Sequence, residues 1–320
     1  MKRLIFKTLF IFSTVIVILF VNSCKEKDNI NDNSYLNQIA FDSIQTASGI
    51  TYINYLVIGN SSASVLLCQG NDTLLAIPSS YKNMTVNSLA DCALQNYNSL
   101  QHVIIPGSIL SIGTSTFADC QSLTNLTIPD ITTIGDYAFA GCNSLSIINS
   151  GRTGIFNVPA SVTTMGNGVF QSCTSLDTIV MPSNISTISP HMFEKCTNLK
   201  YVSFPNGYTL IGDYAFNGCR ALSSMSFDNV TSIGSNSFNS TNLASIVIPN
   251  SVTSIGDQAF EGCSNLASIQ VVATTPPLLG SSAFDNCSGQ LVIKVPQASL
   301  NAYQQDSGGW SQYASIIVGY

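Results

Sequence analysis

Charge is what this chain lacks most. Only 9% of its residues are Asp, Glu, Lys or Arg, against about 25% in an ordinary soluble domain. The surface must therefore be built largely from Ser, Thr, Asn and Gln. Histidine is nearly missing: His102 falls at an outward strand position and His191 at a variable turn position beside Pro190. There is no CxxC pair, His cluster or carboxylate run at ligand spacing, so no metal centre has a donor set. No Gly-rich phosphate loop or paired-acid motif occurs either. A Cys–His nucleophile needs an exposed thiol beside an imidazole, and nothing here supplies one. No catalytic residue, metal ligand or cofactor is assigned, and the chain reads as non-catalytic. The net charge of −6 argues against nucleic acid and anionic membrane surfaces as partners. With 45% hydrophobic residues, periodically placed, disorder is excluded for most of the chain.

Long apolar runs are scarce too. The one clear example is residues 8–21, which follow Lys2, Arg3 and Lys7. A basic start and a run too short to span a bilayer read as a signal peptide over 1–23. The run ends in Val21-Asn22-Ser23-Cys24, which resembles a bacterial lipobox, although Asn22 is not its usual residue. The expectation is cleavage before Cys24 and lipidation of that residue, since more than one acyl chain gives stable anchoring. The bland alternative is an ordinary signal peptide with a chance Cys. Residues 1–23 hold three basic and no acidic residues, so their removal takes the net charge from −6 to −9. Residues 24–40 are polar and read as a tether. Lys25 with its acidic neighbours Glu26 and Asp28 resembles the export signal of lipoproteins at the outer face of a Gram-negative outer membrane.

What the chain has in abundance is one phrase, Ile-Gly-x-x-x-Phe-x-x-Cys-x-x-Leu. Phe117, Phe139, Phe170, Phe193, Phe216, Phe238, Phe260 and Phe284 each follow a Gly by four residues, with Ser189 replacing the Gly once. The steps between them are 22, 31, 23, 23, 22, 22 and 24 residues. Such a period marks a solenoid whose turns contact only their neighbours. After each Cys comes an alternating stretch such as Leu123-Thr124-Asn125-Leu126-Thr127-Ile128-Pro129, a short strand with one buried face that Pro ends. A second extended run, as in Ile131-Thr132-Thr133-Ile134-Gly135, leads to the Gly, which is expected to take a turn conformation other residues resist, although Ser189 at this place argues against a required positive φ. The Phe then packs inward. Residues 50–68 alternate as a hairpin, so 41–75 are expected to cap the open end of a solenoid spanning 76–290. Residues 291–320 are expected to close the other end: residues 291–296 as a last strand, 297–305 as a short helix, and Trp310 over the last turn.

Seven cysteines, Cys120, Cys142, Cys173, Cys196, Cys219, Cys263 and Cys287, hold one repeat position, and Thr241 takes it once. Side chains in such a column point the same way, which suits a disulfide torsion poorly. They are expected to be buried free thiols acting as small hydrophobes. The copy at Leu145 carries about nine extra residues, 149–157, expected as a surface loop. The first copy, with Cys92 in the Phe-to-Cys place, is irregular.

The stretch from Pro249 through Val252, Ile255, Gly256, Ala259, Phe260 and Cys263 to Leu266 resembles the BspA-type leucine-rich repeat. The resemblance covers about residues 50–320. It implies a mainly β leucine-rich-repeat solenoid of about 22–23-residue turns with short parallel strands. It also implies a bacterial surface protein that contacts other proteins, such as host matrix or neighbouring-cell surface proteins. The residue between the two buried positions of each strand should face outward, which gives the row Ile104, Thr127, Val180, Ser203, Ser226, Val247 and Gln270, flanked by Asn125, Thr178, Tyr201 and Ser245. Aliphatic members of that row make it the candidate partner surface, with the 149–157 loop as the other candidate. The competing reading of the chain is a glycan-capturing lipoprotein of a nutrient-uptake system. Sugar platforms need exposed aromatics, and this face offers mainly Tyr201.

Overall fold

The computed structural model describes residues 39–45, 50–58, 61–148, 155–204 and 207–320. The chain coils into a mainly β solenoid with short parallel strands on two sides of each turn. One series of strands comes from the Leu-x-x-Leu-x-Ile stretch. It pairs Leu74–Ala76, His102–Ile104, Asn125–Thr127 and Ile147–Ile148, then Ile155–Asn157, Thr178–Val180 and Tyr201–Ser203, then Ser245–Ile248, Ser268–Val271, Val292–Val295 and Ile317–Gly319. The other series, from the Ile-Gly stretch, runs from Met84–Leu89 through Ser111–Ile112 and Thr133–Ile134 to Thr164–Met165, and again from Thr187–Ile188 to Leu278–Leu279.

The repeat stacks like on like because its period is nearly constant. The Phe rings form one parallel column. Phe117 and Phe139 stand 5.4 Å apart at 8°, Phe170 and Phe193 5.9 Å apart at 3°, and Phe238 and Phe260 5.2 Å apart at 5°. The column crosses the long copy unbroken, with Phe139 and Phe170 at 5.8 Å, because the extra residues fall in sequence between the strands Ile147–Ile148 and Ile155–Asn157 and not near the Phe. Residues 149–154 of that insertion lie outside the described residues. Its end, Ile155–Asn157, is a strand paired with Thr178–Val180 rather than loop.

The reason for the repeat glycine differs from the expectation. None of the glycines at that place has positive φ; the left-handed residues sit two before and two after the Phe, as at Tyr137 (φ 54°) and Gly141 (φ 72°) around Phe139. The glycine is there because turns touch. A Cβ on Gly135 would lie 2.6 Å from the Thr114 nitrogen and 2.7 Å from the Gly113 carbonyl carbon. Ser189 stands where such a glycine is missing, and there the second strand series breaks between Thr164–Met165 and Thr187–Ile188.

The first copy also corrects the sequence reading. Leu94 fills the Phe slot: its N–H donates to Thr116 as that of Phe117 does to Ala138. Tyr97 stands in the Cys slot, and Cys92 is a left-handed residue with φ 57°. Ahead of it, three antiparallel strands, Ile39–Gln45, Ile50–Ile58 and Ser62–Gln69, join the stack through a parallel pairing with Met84–Leu89. At the other end Trp310 is fully buried over Phe284, and its indole Nε1 donates to the Pro277 carbonyl at 2.7 Å. A 3-10 turn, Gln297–Ser299, and a helix, Leu300–Gln304, form where expected. The strand there is Val292–Val295, and a further strand, Ile317–Gly319, follows it.

Candidate functional site

Strand register decides which outward residues meet. Ile104 stands beside Thr127, Val180 beside Ser203, and Val247 beside Gln270. Asn125 neighbours His102, and Thr178 neighbours Tyr201. The expected row is thus present in pieces. Tyr201 is 55% exposed, Val247 52% and Ile104 39%; Ser226 and Ser245 are exposed, and Thr127, Val180, Ser203 and Gln270 half-buried. The row extends further than the repeat pattern indicated, to Ala76 at one end and to Lys294 and Val318 at the other. Leu74, beside His102, is a further exposed apolar side chain of this face. Cys24 lies outside the described residues.

The face has a break that the repeat hides. Residues 224–226 should pair with Tyr201–Ser203 on one side and Ser245–Ile248 on the other. They form no strand, and no ladder joins the three among the described residues. Tyr208 accounts for the break on the Tyr201–Ser203 side. It takes the slot that Ile131, Val162, Ile185, Val230 and Val252 hold in other turns, and its ring packs on Phe204 with centroids 4.8 Å apart. Its hydroxyl donates to the Ser226 carbonyl. In a regular turn that carbonyl accepts the N–H after the preceding strand, as Ser203 accepts from Met181 at 2.8 Å and Thr127 from Ile105 at 3.0 Å. Tyr208 therefore holds the carbonyl that Phe204 would otherwise bond. Burial pushes the Tyr208 phenol well above its ordinary range, so it stays a donor at all physiological pH.

Two adjoining recesses result. One of about 720 Å³ lies between Tyr201, Phe204, Tyr208, Met225 and Asp228. Another of about 410 Å³ lies between Met225, Asp228, Val247 and Gln270. Tyr201, Ser203, Ser226, Val247 and Gln270, all singled out from the repeat pattern, line them. Met225 and Phe204 are only half-buried there, where Ile246 and Ile248 are fully covered in the next turn. The break was missed because it depends on one hydroxyl reaching across a turn. The signal was a Tyr in a Val/Ile slot.

Most column thiols are sealed by burial, but half-buried Cys287 hydrogen-bonds Cys263 and holds that thiol below its ordinary value. Each column Sγ donates to the carbonyl of the residue in the Phe slot one turn before: Cys120 to Leu94 at 3.0 Å, Cys142 to Phe117 at 3.1 Å, Cys196 to Phe170 at 3.0 Å and Cys219 to Phe193 at 3.0 Å. A small weak donor fits that place. Thr241, in the same column, instead bonds the carbonyl of Phe238 in its own turn at 2.9 Å. Burial pushes Cys120 and Cys196 up to about 12 and Cys142, Cys173 and Cys219 well above their ordinary value, which suppresses the thiolate that nucleophiles need. Cys68 and the seven column cysteines are free. A chain starting after Cys24 should therefore show at least eight titratable thiols when unfolded without reductant. Three or more disulfides by intact mass would contradict the packing.

The histidines are likewise occupied. His102 Nε2 lies 3.4 Å from Thr127 Oγ1. His191 stacks on Tyr214 at 5.0 Å and 6°, and its Nδ1 lies 2.8 Å from Glu194 Oε2. Burial pushes Glu194 up, but hydrogen bonds from His191, Gln171 and Lys195 outweigh it and hold the carboxyl below its ordinary value. This is a satisfied ion cluster on the turn edge, away from the strand face.

The sequence model of the BspA-type leucine-rich repeat region matches six copies across residues 87–223, 149–267 and 231–306. A leucine-rich repeat protein of Bacteroides ovatus is similar in structure, with a TM-score of 0.61 and 25% identity over 84% of this chain and 71% of its own. A leucine rich cell surface protein of Faecalibacterium prausnitzii shares the fold, with a TM-score of 0.50 and 22% identity over 86% of this chain and 97% of its own. No curated protein matches the chain. The repeat, the stacked Phe and Cys columns and these likenesses agree: the chain belongs to the BspA-type leucine-rich repeat family.

Proposed function

We propose that this chain is a non-catalytic, surface-anchored repeat protein that binds a partner protein along its strand face. The observation that carries the reading is the charge-poor face itself, where Tyr201 and Val247 stand exposed beside two recesses with half-buried Met225 and Phe204. Exposed apolar patches rimmed by polar residues mark protein contact sites. Such a contact should depend little on salt. The family supports a repeat scaffold of this kind, and host matrix or neighbouring-cell surface proteins are the partners the reading favours.

The test replaces Val180 with Ser, Tyr201 with Ser and Val247 with Lys together. The folded variant should bind a responding member of a matrix- and surface-protein panel at least ~10-fold more weakly, about 1.4 kcal/mol. Unchanged affinity in the folded variant would move the site away from this face. Glycan capture is the second reading, because the Tyr201 ring stands at the rim of a recess that also holds Asp228 and Asn229. A glycan array run beside the protein panel separates the two.

The anchor belongs to the same proposal. Lipid on Cys24, after a signal peptide over 1–23, would hold the solenoid outside the outer membrane on the tether; the expected 24–40 tether ends sooner, because the first strand begins at Ile39. A Cys24→Ser variant should leave the membrane fraction. Retention there, with no lipid on the wild-type protein by mass spectrometry, removes this part of the reading.

A further inference from the structure

We propose that the interrupted turn at residues 224–226 takes up an extended segment of the partner protein as an added strand, paired with the edge of Tyr201–Ser203. The proposal rests on the strand face being the partner surface and specifies how that surface recognises its partner.

The argument is one of backbone groups. In a parallel ladder alternate residues direct both N–H and C=O to the same neighbour. Tyr201 and Ser203 are turned to the preceding turn, since the Tyr201 N–H donates to Asp177 and the Ser203 carbonyl accepts from Met181. The Lys200 carbonyl, both backbone groups of Val202 and the Phe204 N–H are therefore aimed at the following turn. By the same register Ser245 and Val247 aim back at it from the other side. Regular turns fill this position with a strand, and here none is formed. A row of backbone donors and acceptors at strand spacing, about 3.3 Å per residue, is matched by another polypeptide backbone. Natural sheets cover or blunt such edges, yet this one opens onto a recess of about 720 Å³ with Met225 and Phe204 half-buried beside it.

The side chains narrow the occupant further. Asp228 is the one charged residue among those lining either recess, and it is exposed. Its Oδ2 accepts from Ser226 Oγ at 2.7 Å, which leaves Oδ1 for a ligand. The complement is a short extended segment of β-forming residues carrying one Lys or Arg. A protein that binds through such a segment need not be folded at the contact.

The experiment pans a display library of random linear peptides against the full chain. Recovered peptides are then measured on wild type, Tyr208→Val and Asp228→Asn. Tyr208→Val gives the slot its usual kind of residue, frees the Ser226 carbonyl for Phe204 and closes the ladder. Slower amide exchange at Phe204 reports the closure, and Tyr208→Phe serves the same purpose if the Val variant does not fold. Peptides should be Lys- or Arg-containing and lose at least ~10-fold in affinity, about 1.4 kcal/mol, on the closed variant. N-methylation at alternate peptide amides should abolish binding, and Asp228→Asn should weaken it.

Peptides that bind the closed variant equally well, or tolerate N-methylation at every position, overturn strand addition. So does recovery of no peptide. So does unchanged exchange at Phe204 in a folded closed variant. Each of these leaves the broader strand-face reading to its own test, the Val180, Tyr201 and Val247 triple variant against the protein panel.

Discussion

Replacing Phe193 with Ala should cost about 3–5 kcal/mol, a large share of the stability of an ordinary domain. Phe193 is fully buried and lies 5.9 Å from Phe170 and 5.3 Å from Phe216 in one parallel column. Truncation therefore removes two ring contacts and leaves a void that its neighbours cannot fill, because both are held by their own turns. In a solenoid, stability is a sum of turns and nearest-neighbour interfaces. A void at the centre weakens both interfaces of one turn and divides the array. Denaturant unfolding should then show two transitions in place of one. Phe193→Leu should cost far less, since Leu94 already fills this slot in the first copy. A single transition with a loss under about 1 kcal/mol for the Ala variant would mean that the Phe column is not what couples the turns.

The Phe and Cys columns were legible in the sequence because a constant period maps directly onto constant stacking. The same logic found the outward positions Ile104, Val180, Tyr201 and Val247. It did not find the breaks, which arise where one side chain changes what a neighbouring turn can reach. Tyr208 breaks the strand face by capturing the Ser226 carbonyl, and period counting carries no information about a hydroxyl's reach. The slot comparison did carry a cue, since Ile109, Ile131, Val162, Ile185, Val230 and Val252 stand there in other turns. Leu210 and Leu278 are similar. They stand exposed in the second strand series, where other copies hold Ser or Thr, and are visible only when the copies are aligned on that strand. Cys92 misled for a different reason: a Cys attracts the Cys slot, whereas the 23-residue step back from Phe117 falls on Leu94.

The glycine gives the sharpest contrast between motif and cause, and it yields a pair of predictions of opposite sign. At Gly256 a Cβ would lie 2.5 Å from the Ser235 nitrogen and 2.7 Å from the Gly234 carbonyl carbon. Both obstacles are backbone, so neither can rotate away. Gly256→Ala must lift one turn off the next and lengthen the bond from the Gly256 N–H to the Ile233 carbonyl, now 2.8 Å. Overpacking of this kind costs about 1–3 kcal/mol, occasionally more. Ser189 shows what such a shift looks like once accommodated. In the neighbouring copies the glycine N–H bonds the Ile carbonyl one turn back, as Gly166 does with Ile134 and Gly212 with Ile188, at 2.9 and 2.8 Å. At Ser189 the hydroxyl reaches the Met165 carbonyl instead, at 3.4 Å, and the ladder is broken. Ser189→Gly should let the turns close and restore the backbone bond, a gain of about 0.5–1.5 kcal/mol. That offsets the roughly 0.5–1 kcal/mol entropic cost of a glycine in extended chain. The variant should therefore keep or slightly raise the unfolding midpoint, while the amide of residue 189 becomes protected from exchange. If Ser189→Gly lowers stability as much as Gly256→Ala does, turn contact is not what selects glycine at this place in the repeat.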